Sequence, residues 1–209
     1  MQLKNKFPLL VPIARAAINA TKQLASRSKV KRLLGSDIYL EIGAGDKPGA
    51  NGWTTIDMTR HCDVFWDLRD GIPFPNASVK KIYSSHILEH LSFQATQQFL
   101  RECRRVLVPG GTFSICVPNA KMYLEAYLSG VTLDPSYFGW KPAYNNTTRI
   151  DYVNYTAYMD GEHKYMFDAE NLIHILTKAS FKNVRLRAFD PGIDLLARDF
   201  ESIYAEAEN

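Results

Sequence analysis

The chain has 209 residues, 46% of them hydrophobic, and a formal net charge of +3. That content suits one domain with a substantial core and excludes a disordered or fibrous chain. No apolar run approaches bilayer length, and Cys62, Cys103 and Cys116 form no C-x-x-C pair, so reduced thiols in a cytosolic protein are expected and no metal site is read.

Charge is unevenly placed. Residues 1–36 hold Lys4, Lys6, Arg15, Lys22, Arg27, Lys29, Lys31 and Arg32 and no acid, whereas the remainder carries 17 basic against 22 acidic residues. The chain therefore divides into a cationic arm, 1–36, and an acidic body, 37–209. After Pro12, residues Ile13, Ala17, Ala20 and Leu24 recur at helical spacing, with Arg15, Asn19, Lys22, Ser26 and Lys29 on another face. Three readings stay open for the arm. It packs on the body or caps a ligand cavity with its basic face solvated; it contacts anionic lipid headgroups or a phosphorylated lipid-linked ligand, helped by Phe7, Leu9 and Leu10; or it binds nucleic acid. Arg15 interrupts the apolar stretch and argues against a cleaved signal peptide. The expected location is cytoplasmic, with peripheral contact at the cytoplasmic membrane face through 1–36 left open.

A first strand is read at 38–42, ending in Glu41-Ile-Gly43-Ala44-Gly45, where two glycines let the backbone turn sharply close to a ligand. A second strand, 53–56, delivers Asp57, placed as nucleotide-binding α/β folds place an acid for ribose hydroxyls. Pro48 replaces the third glycine of a dinucleotide motif, and seven residues between Gly45 and Trp53 are too few for a crossover helix. A bare loop, and a nucleoside cofactor without phosphate, fit better.

Further strands are expected at 63–66 and 80–84. A helix follows from an N-cap at Ser92 to Leu107, its stripe made by Thr96, Phe99, Leu100, Cys103 and Leu107. Pro109-Gly110-Gly111 turns the chain into a fifth strand, 112–117. Residues 118–167 break the alternation with a run of tyrosine, phenylalanine and tryptophan rings, Tyr123, Tyr144, Tyr155 and Tyr158 among them, plus Pro135 and Pro142. A connection this long leaving a strand's C-terminal end is read as a substrate lid, opening with a helix near 120–128. Tyrosines suit a polar ring such as a sugar, and most of these also suit a satellite core. Tyr152, Tyr155 and Tyr158 could share one helical face. A last helix, capped by Asp168, and strands at 183–189 and 202–206 complete an α/β domain with an open, mainly parallel sheet.

In this order and spacing the segments resemble class I S-adenosylmethionine-dependent methyltransferases. The resemblance is carried by Glu41–Gly45, Asp57, Asp63-Val-Phe-Trp-Asp67-Leu68, Gly71–Val79, Ser84-Ser-His86-Ile-Leu-Glu89-His90 and Arg105–Gly111. It implies a Rossmann-like sheet of seven strands, the last antiparallel and inserted between the fifth and sixth, with helices on both faces. It also implies a cofactor, S-adenosylmethionine, held by Glu41, Gly43, Ala44, Gly45, Asp57, Met58, Asp67, Leu68 and His86.

Methyl transfer needs alignment at the sulfonium carbon and, for an oxygen acceptor, a base. The candidates are His163, His86 and Glu89, with Tyr123, Tyr155 and His90 receiving the acceptor. Gly161–Tyr165 resembles a segment of family members acting on cell-surface saccharides, where a histidine faces the acceptor. For His86, shaping the cofactor loop is the competing role; for Glu89 and His90 it is helix-end hydrogen bonding. Ser-Ser-His-Ile in place of Asp/Asn-Pro-Pro-aromatic argues against methylation of DNA bases, and the acidic body disfavours nucleic-acid duplexes. The expected function is O-methylation of a small molecule or glycan, phosphorylated and lipid-linked forms included. The alternatives are a non-catalytic nucleoside-binding regulator of the same fold and a methyltransferase acting on RNA. No signal fixes the oligomeric state.

Overall fold

In the computed structural model the described residues are 10–140, 145 and 147–209, with backbone alone for 10–18. The expectations for Lys4, Lys6, Phe7, Leu9, Pro142 and Tyr144, and for the side chains of Leu10, Ile13, Arg15 and Ala17, lie outside them.

Seven strands form one sheet in the order β3-β2-β1-β4-β5-β7-β6. They are β1 (Tyr39–Ile42), β2 (Trp53–Asp57), β3 (Val64–Phe65), β4 (Val79–Ser85), β5 (Leu107–Pro118), β6 (Lys182–Arg187) and β7 (Ser202–Glu208). The first five are parallel neighbours; β7 runs antiparallel to both β5 and β6. The expected topology is therefore the observed one. No helix lies between β1 and β2, in keeping with the short loop there.

Helix α1 spans Leu10–Leu33, and α2 spans Phe93–Val106. Ser92 caps α2 by accepting from the Ala95 amide, and Thr96, Phe99, Leu100, Cys103 and Val106 form its buried stripe. Leu107 is already strand: it pairs with Val79, the chain bulges through Pro109–Gly111, and Thr112 resumes pairing at Lys81. Helices α3 (Ala120–Ser129) and α4 (Ile150–Tyr158) lie between β5 and α5 (Ala169–Lys178), which Asp168 caps through the Asn171 amide. Residues of α1, α2 and α5 (Val30, Phe99, Leu100, Leu172, Leu176) share one core cluster with Leu40, Ile42, Ile56, Ile82 and Phe113. Cys103 and Cys116 are buried free thiols.

The arm docks, but not through the expected stripe. Ala20 is exposed and Leu24 is 62% exposed, whereas Val30 enters the core. Polar and basic groups make the contact: the Phe65 amide donates to Ser26 Oγ at 2.9 Å, Lys29 meets Asp63 at 2.9 Å, and Lys22 lies over the Phe65 ring. A short β3 offers little apolar surface, so hydrogen bonds and cation–π contacts set the docking face instead.

Asp63 also receives the Gly49 and Thr55 amides. Burial pushes its carboxyl up, but Lys29 and these amides outweigh that and hold it below 3.8. A depressed carboxyl stabilises the fold above its unfolded pKa and loses that contribution as pH falls through the folded value. In urea titrations Asp63→Asn should be less stable than wild type by about 1 kcal/mol at pH 7 after discount for exposure. The difference should narrow once the pH drops below 3.8. A gap independent of pH would contradict the ion-pair account.

Candidate active site

Two cavities lie at the C-terminal ends of the parallel strands, with the consecutive residues His86 and Ile87 lining one each. The first surrounds the exit of β1. Gly43 and Gly45 both take left-handed φ values, 71° and 72°. A side-chain carbon on Gly43 would fall 1.3 Å from the tip of Ile87, whereas Gly45 faces open space. Gly43 is thus demanded by a neighbour as well as by the turn. The bend is held by the Gly43 and Ala44 amides on the Ile56 carbonyl and by the Gly45 amide on Asp57 Oδ2, 2.9 Å away. Asp57 Oδ1 accepts from the Met58 amide at 2.6 Å. Gly43, Asp57, Met58, Asp67, Leu68 and Phe99 are among the residues lining a cavity of about 340 Å³.

Asp67 caps the short 3-10 turn that follows it and is bridged by the Arg69 guanidinium, which holds its carboxyl below the usual range. Glu41 does not join this group. Strand alternation turns it to the opposite face of β1, where it pairs with Lys47 at 2.6 Å and lines a small depression beside Trp53 and Tyr83.

The second cavity, about 640 Å³, is lined by His86, Glu89, His90, Tyr123, Tyr155 and His163, among others. His86 therefore faces the second cavity, while its neighbour Ile87 lines the first. The β4 exit is the wall the two cavities share. His86 sits there with φ 53°, a strained conformation for a non-glycine residue, its amide bonded to the Cys116 carbonyl. His163 arrives from the far end of the lid because the Lys164 and Tyr165 amides both donate to the Glu89 carbonyl.

The hydrogen bonds assign the imidazole tautomers. Ser202 Oγ donates to the Arg198 carbonyl, so it accepts from His86 Nε2 at 2.9 Å, leaving the His86 Nδ1 lone pair 3.5 Å from Glu89 Oε1. His163 Nδ1 donates to the Thr156 carbonyl at 2.9 Å, and His90 Nδ1 to the Glu162 carbonyl at 3.1 Å. In its neutral form each ring then keeps Nε2 as its lone pair. Burial drives the His86 pKa down to about 3 and lowers that of His163. Glu89 is 2% exposed, neither carboxyl oxygen has a hydrogen-bond partner among the described residues, and burial raises its pKa to about 8. The site offers neutral imidazoles and a carboxyl poised near neutrality, which is acid–base equipment.

Residues 19–115 match a family model described as Methyltransferase domain. A probable S-adenosylmethionine-dependent methyltransferase of Mycolicibacterium smegmatis is 46% identical over 57 residues, 25% of this chain and 21% of that protein. The matched stretch spans about a fifth of that relative's length. The fold is similar to that of an S-adenosylmethionine-dependent methyltransferase from Archaeoglobus fulgidus, at TM-score 0.52 and 16% identity over 90% of this chain and 94% of that one. Residues 19–115, a little under half of the chain, are thus similar to a methyltransferase domain. A methyltransferase from Mesorhizobium loti shares the fold at TM-score 0.51 and 16% identity, covering 88% and 96% of the two chains. A Burkholderia thailandensis 1,6-didemethyltoxoflavin-N1-methyltransferase, solved with S-adenosylhomocysteine, does so at 0.50 and 15%, covering 99% and 87%.

The first cavity fits S-adenosylmethionine on physical grounds. The first cavity is within the size range of cofactor sites, about 300–1,000 Å³. It joins a tight glycine bend, an acid for hydroxyls at Asp57, and apolar walls from Leu68, Ile87 and Phe99 for a ring. Of the lid tyrosines, Tyr123, Tyr152 and Tyr155 pack in a satellite core with Ala126 and Phe138. Tyr158 is exposed, so the three α4 rings do not share one buried face. Sequence reading missed Arg198, Glu201 and Ser202, which reach the second cavity or its histidine from the segment before β7. Tyr123 donates to Glu201 at 2.5 Å.

Proposed function

We propose that the domain methylates a hydroxyl of a polar, ring-containing small molecule or glycan, including phosphorylated or lipid-linked forms. The observation that carries this reading is the second cavity, with its neutral histidines and aromatic rim adjoining the cofactor cavity at His86–Ile87. S-adenosylmethionine supplies an activated methyl group on sulfur. The chain's own residues do the rest. Asp57 accepts hydrogen bonds from ribose hydroxyls, and the Gly43–Gly45 bend lets the backbone approach. The lid excludes water, which sharpens electrostatics at the acceptor oxygen. His163 Nε2, held by the Thr156 carbonyl behind it, takes the hydroxyl proton as the oxygen–carbon bond forms and the carbon–sulfur bond breaks.

Trp140 and Tyr137 at the cavity mouth offer faces to a sugar-like ring, and Arg198 offers a cation to a phosphate. Incubation with methyl-labelled cofactor and fractionated cell extract should label an alkali-stable ether; label on protein or RNA would overturn this acceptor class. His163→Ala should leave cofactor affinity unchanged by calorimetry and lower turnover by about 10²–10⁴-fold. Full turnover would remove His163 from the proton transfer.

A further inference from the structure

Glu89, His90 and His163 each offer a ligand atom, and these atoms lie within 4.8 Å of one another. We propose that these three side chains form a binding site for one divalent transition-metal cation, such as zinc, cobalt or manganese. The inference deepens the reading of the second cavity as the acceptor site and rests on it for the cation's role.

Three independent features point to a cation. First, Glu89 is buried with both carboxyl oxygens lacking a hydrogen-bond partner among the described residues. A carboxyl in that state stays protonated until a cation meets it and stabilises the ionised form. Arg198 lines the same cavity but makes no ion pair with Glu89 among the described contacts.

Second, both histidines are arranged as metal ligands are. Each donates Nδ1–H to a backbone carbonyl, His90 to Glu162 and His163 to Thr156, which fixes the tautomer and leaves Nε2 to coordinate. Outer hydrogen bonds of this kind orient ligating imidazoles and raise their basicity.

Third, the donors converge on open space. His90 Nε2 is 3.9 Å from Glu89 Oε1, and all three residues line the large cavity, so a cation would keep positions free for substrate. Donors around one ion at bonds of about 2.1 Å stand roughly 3–3.5 Å apart. Closing the present spacing needs side-chain shifts of about an ångström, which the half-exposed His90 can supply. Two imidazoles and a carboxylate suit a transition-metal ion better than magnesium or calcium, which prefer oxygen alone. The donors come from two separated segments, Glu89-His90 and His163, joined by the amides of Lys164 and Tyr165 on the Glu89 carbonyl. No local spacing motif marks them, which is why the expectation of no metal missed them.

A cation here would take the acceptor oxygen as a further ligand and lower its proton affinity, so the hydroxyl proton would pass to bulk water and His163 would serve as ligand in place of base. Untagged full-length protein, stripped with a chelator and titrated with cobalt, should develop a visible ligand-field band saturating at one equivalent. Zinc should compete for the same site in calorimetry. Glu89→Gln, which preserves shape, and His163→Ala should each weaken binding at least about tenfold. His61→Ala, which removes an exposed histidine paired with Asp46, should not. Unchanged melting and cofactor affinity in the variants would show that the fold survives. Absence of the band, or stoichiometric binding that ignores Glu89→Gln and His163→Ala, overturns the cation site. Chelator-resistant turnover without bound metal overturns the cation's assigned role while leaving methyl transfer standing. A cation bound at these three residues in a protein that methylates no hydroxyl would sustain the site and sink its assigned role.

Discussion

Asp57→Ala is expected to weaken binding of S-adenosylmethionine or S-adenosylhomocysteine about 10- to 100-fold in isothermal calorimetry. The carboxylate stands at the end of β2, where Oδ2 holds the Gly45 amide and Oδ1 the Met58 amide, and it borders the first cavity. A ribose diol placed there would gain one or two hydrogen bonds to a charged acceptor, each about 1.5–3 kcal/mol. A loss of 1.4 kcal/mol is roughly tenfold in affinity. The substitution also frees the Gly45 amide, so part of the loss would come from a looser bend. Asp57→Asn separates the contributions: it preserves volume but removes the charge, and should fall between wild type and alanine. Asp46→Ala is the control, since Asp46 is exposed and engages His61 away from the cavity. Unchanged affinity in Asp57→Ala would remove the ribose assignment.

The largest expected effect on stability lies at Asp194. Its side chain is fully enclosed and receives the Tyr83 hydroxyl at 2.9 Å, both terminal Arg187 nitrogens at 2.5 and 2.8 Å, and the Asp190 amide at 2.7 Å. Arg187 in turn donates to Ser114 and lies over the Tyr204 ring. Removing the acid strands a guanidinium in the interior, which typically costs about 3–5 kcal/mol. For a chain of this size that is a melting-temperature drop of roughly 6–20 °C. Tyr83→Phe removes one neutral donor and should cost only about 1 kcal/mol. Asp194→Leu combined with Arg187→Met should recover much of the loss, because an apolar pair of similar volume replaces the ion pair. A thermal shift of a degree or less in Asp194→Ala would mean that water reaches the arginine. The segment that Asp194 anchors continues into Arg198 and Glu201, so the variant should impair acceptor turnover more than cofactor affinity.

The sheet was legible because short apolar runs, glycine and proline punctuation, and the caps at Ser92 and Asp168 are local signals. The interleaving of β7 between β5 and β6 came from family resemblance, and the pairing agrees. What local pattern missed was set by long-range geometry. Glu41 belongs to the glycine motif in sequence, but the two-residue period of a strand turns it toward Lys47. The stripe through Ala20 and Leu24 looked like the docking side of α1, yet Ser26, Lys29 and Val30 make the contacts because β3 presents an amide, an acid and a ring. The histidines were found individually, since histidine is rare here and each sits at a turn. Their convergence depends on the Glu89 carbonyl catching two amides more than seventy residues later, which no spacing rule encodes. Residues 188–201 include Phe189, Ile193, Leu195, Leu196 and Phe200, but Leu195, Leu196 and Phe200 stay exposed, so no core periodicity announced the wall they build.

The interleaved strand has a kinetic side. Seven residues of β5 zip against β7, beginning with Thr112 opposite Glu208, across almost a hundred residues of intervening chain. Closing so long a span is entropically slow, and until it happens one flank of β5 stays an open edge with Phe113, Ile115 and Val117 beside it. Renaturation from denaturant should therefore be sensitive to protein concentration, with dilution raising the yield by starving the edge of wrong partners.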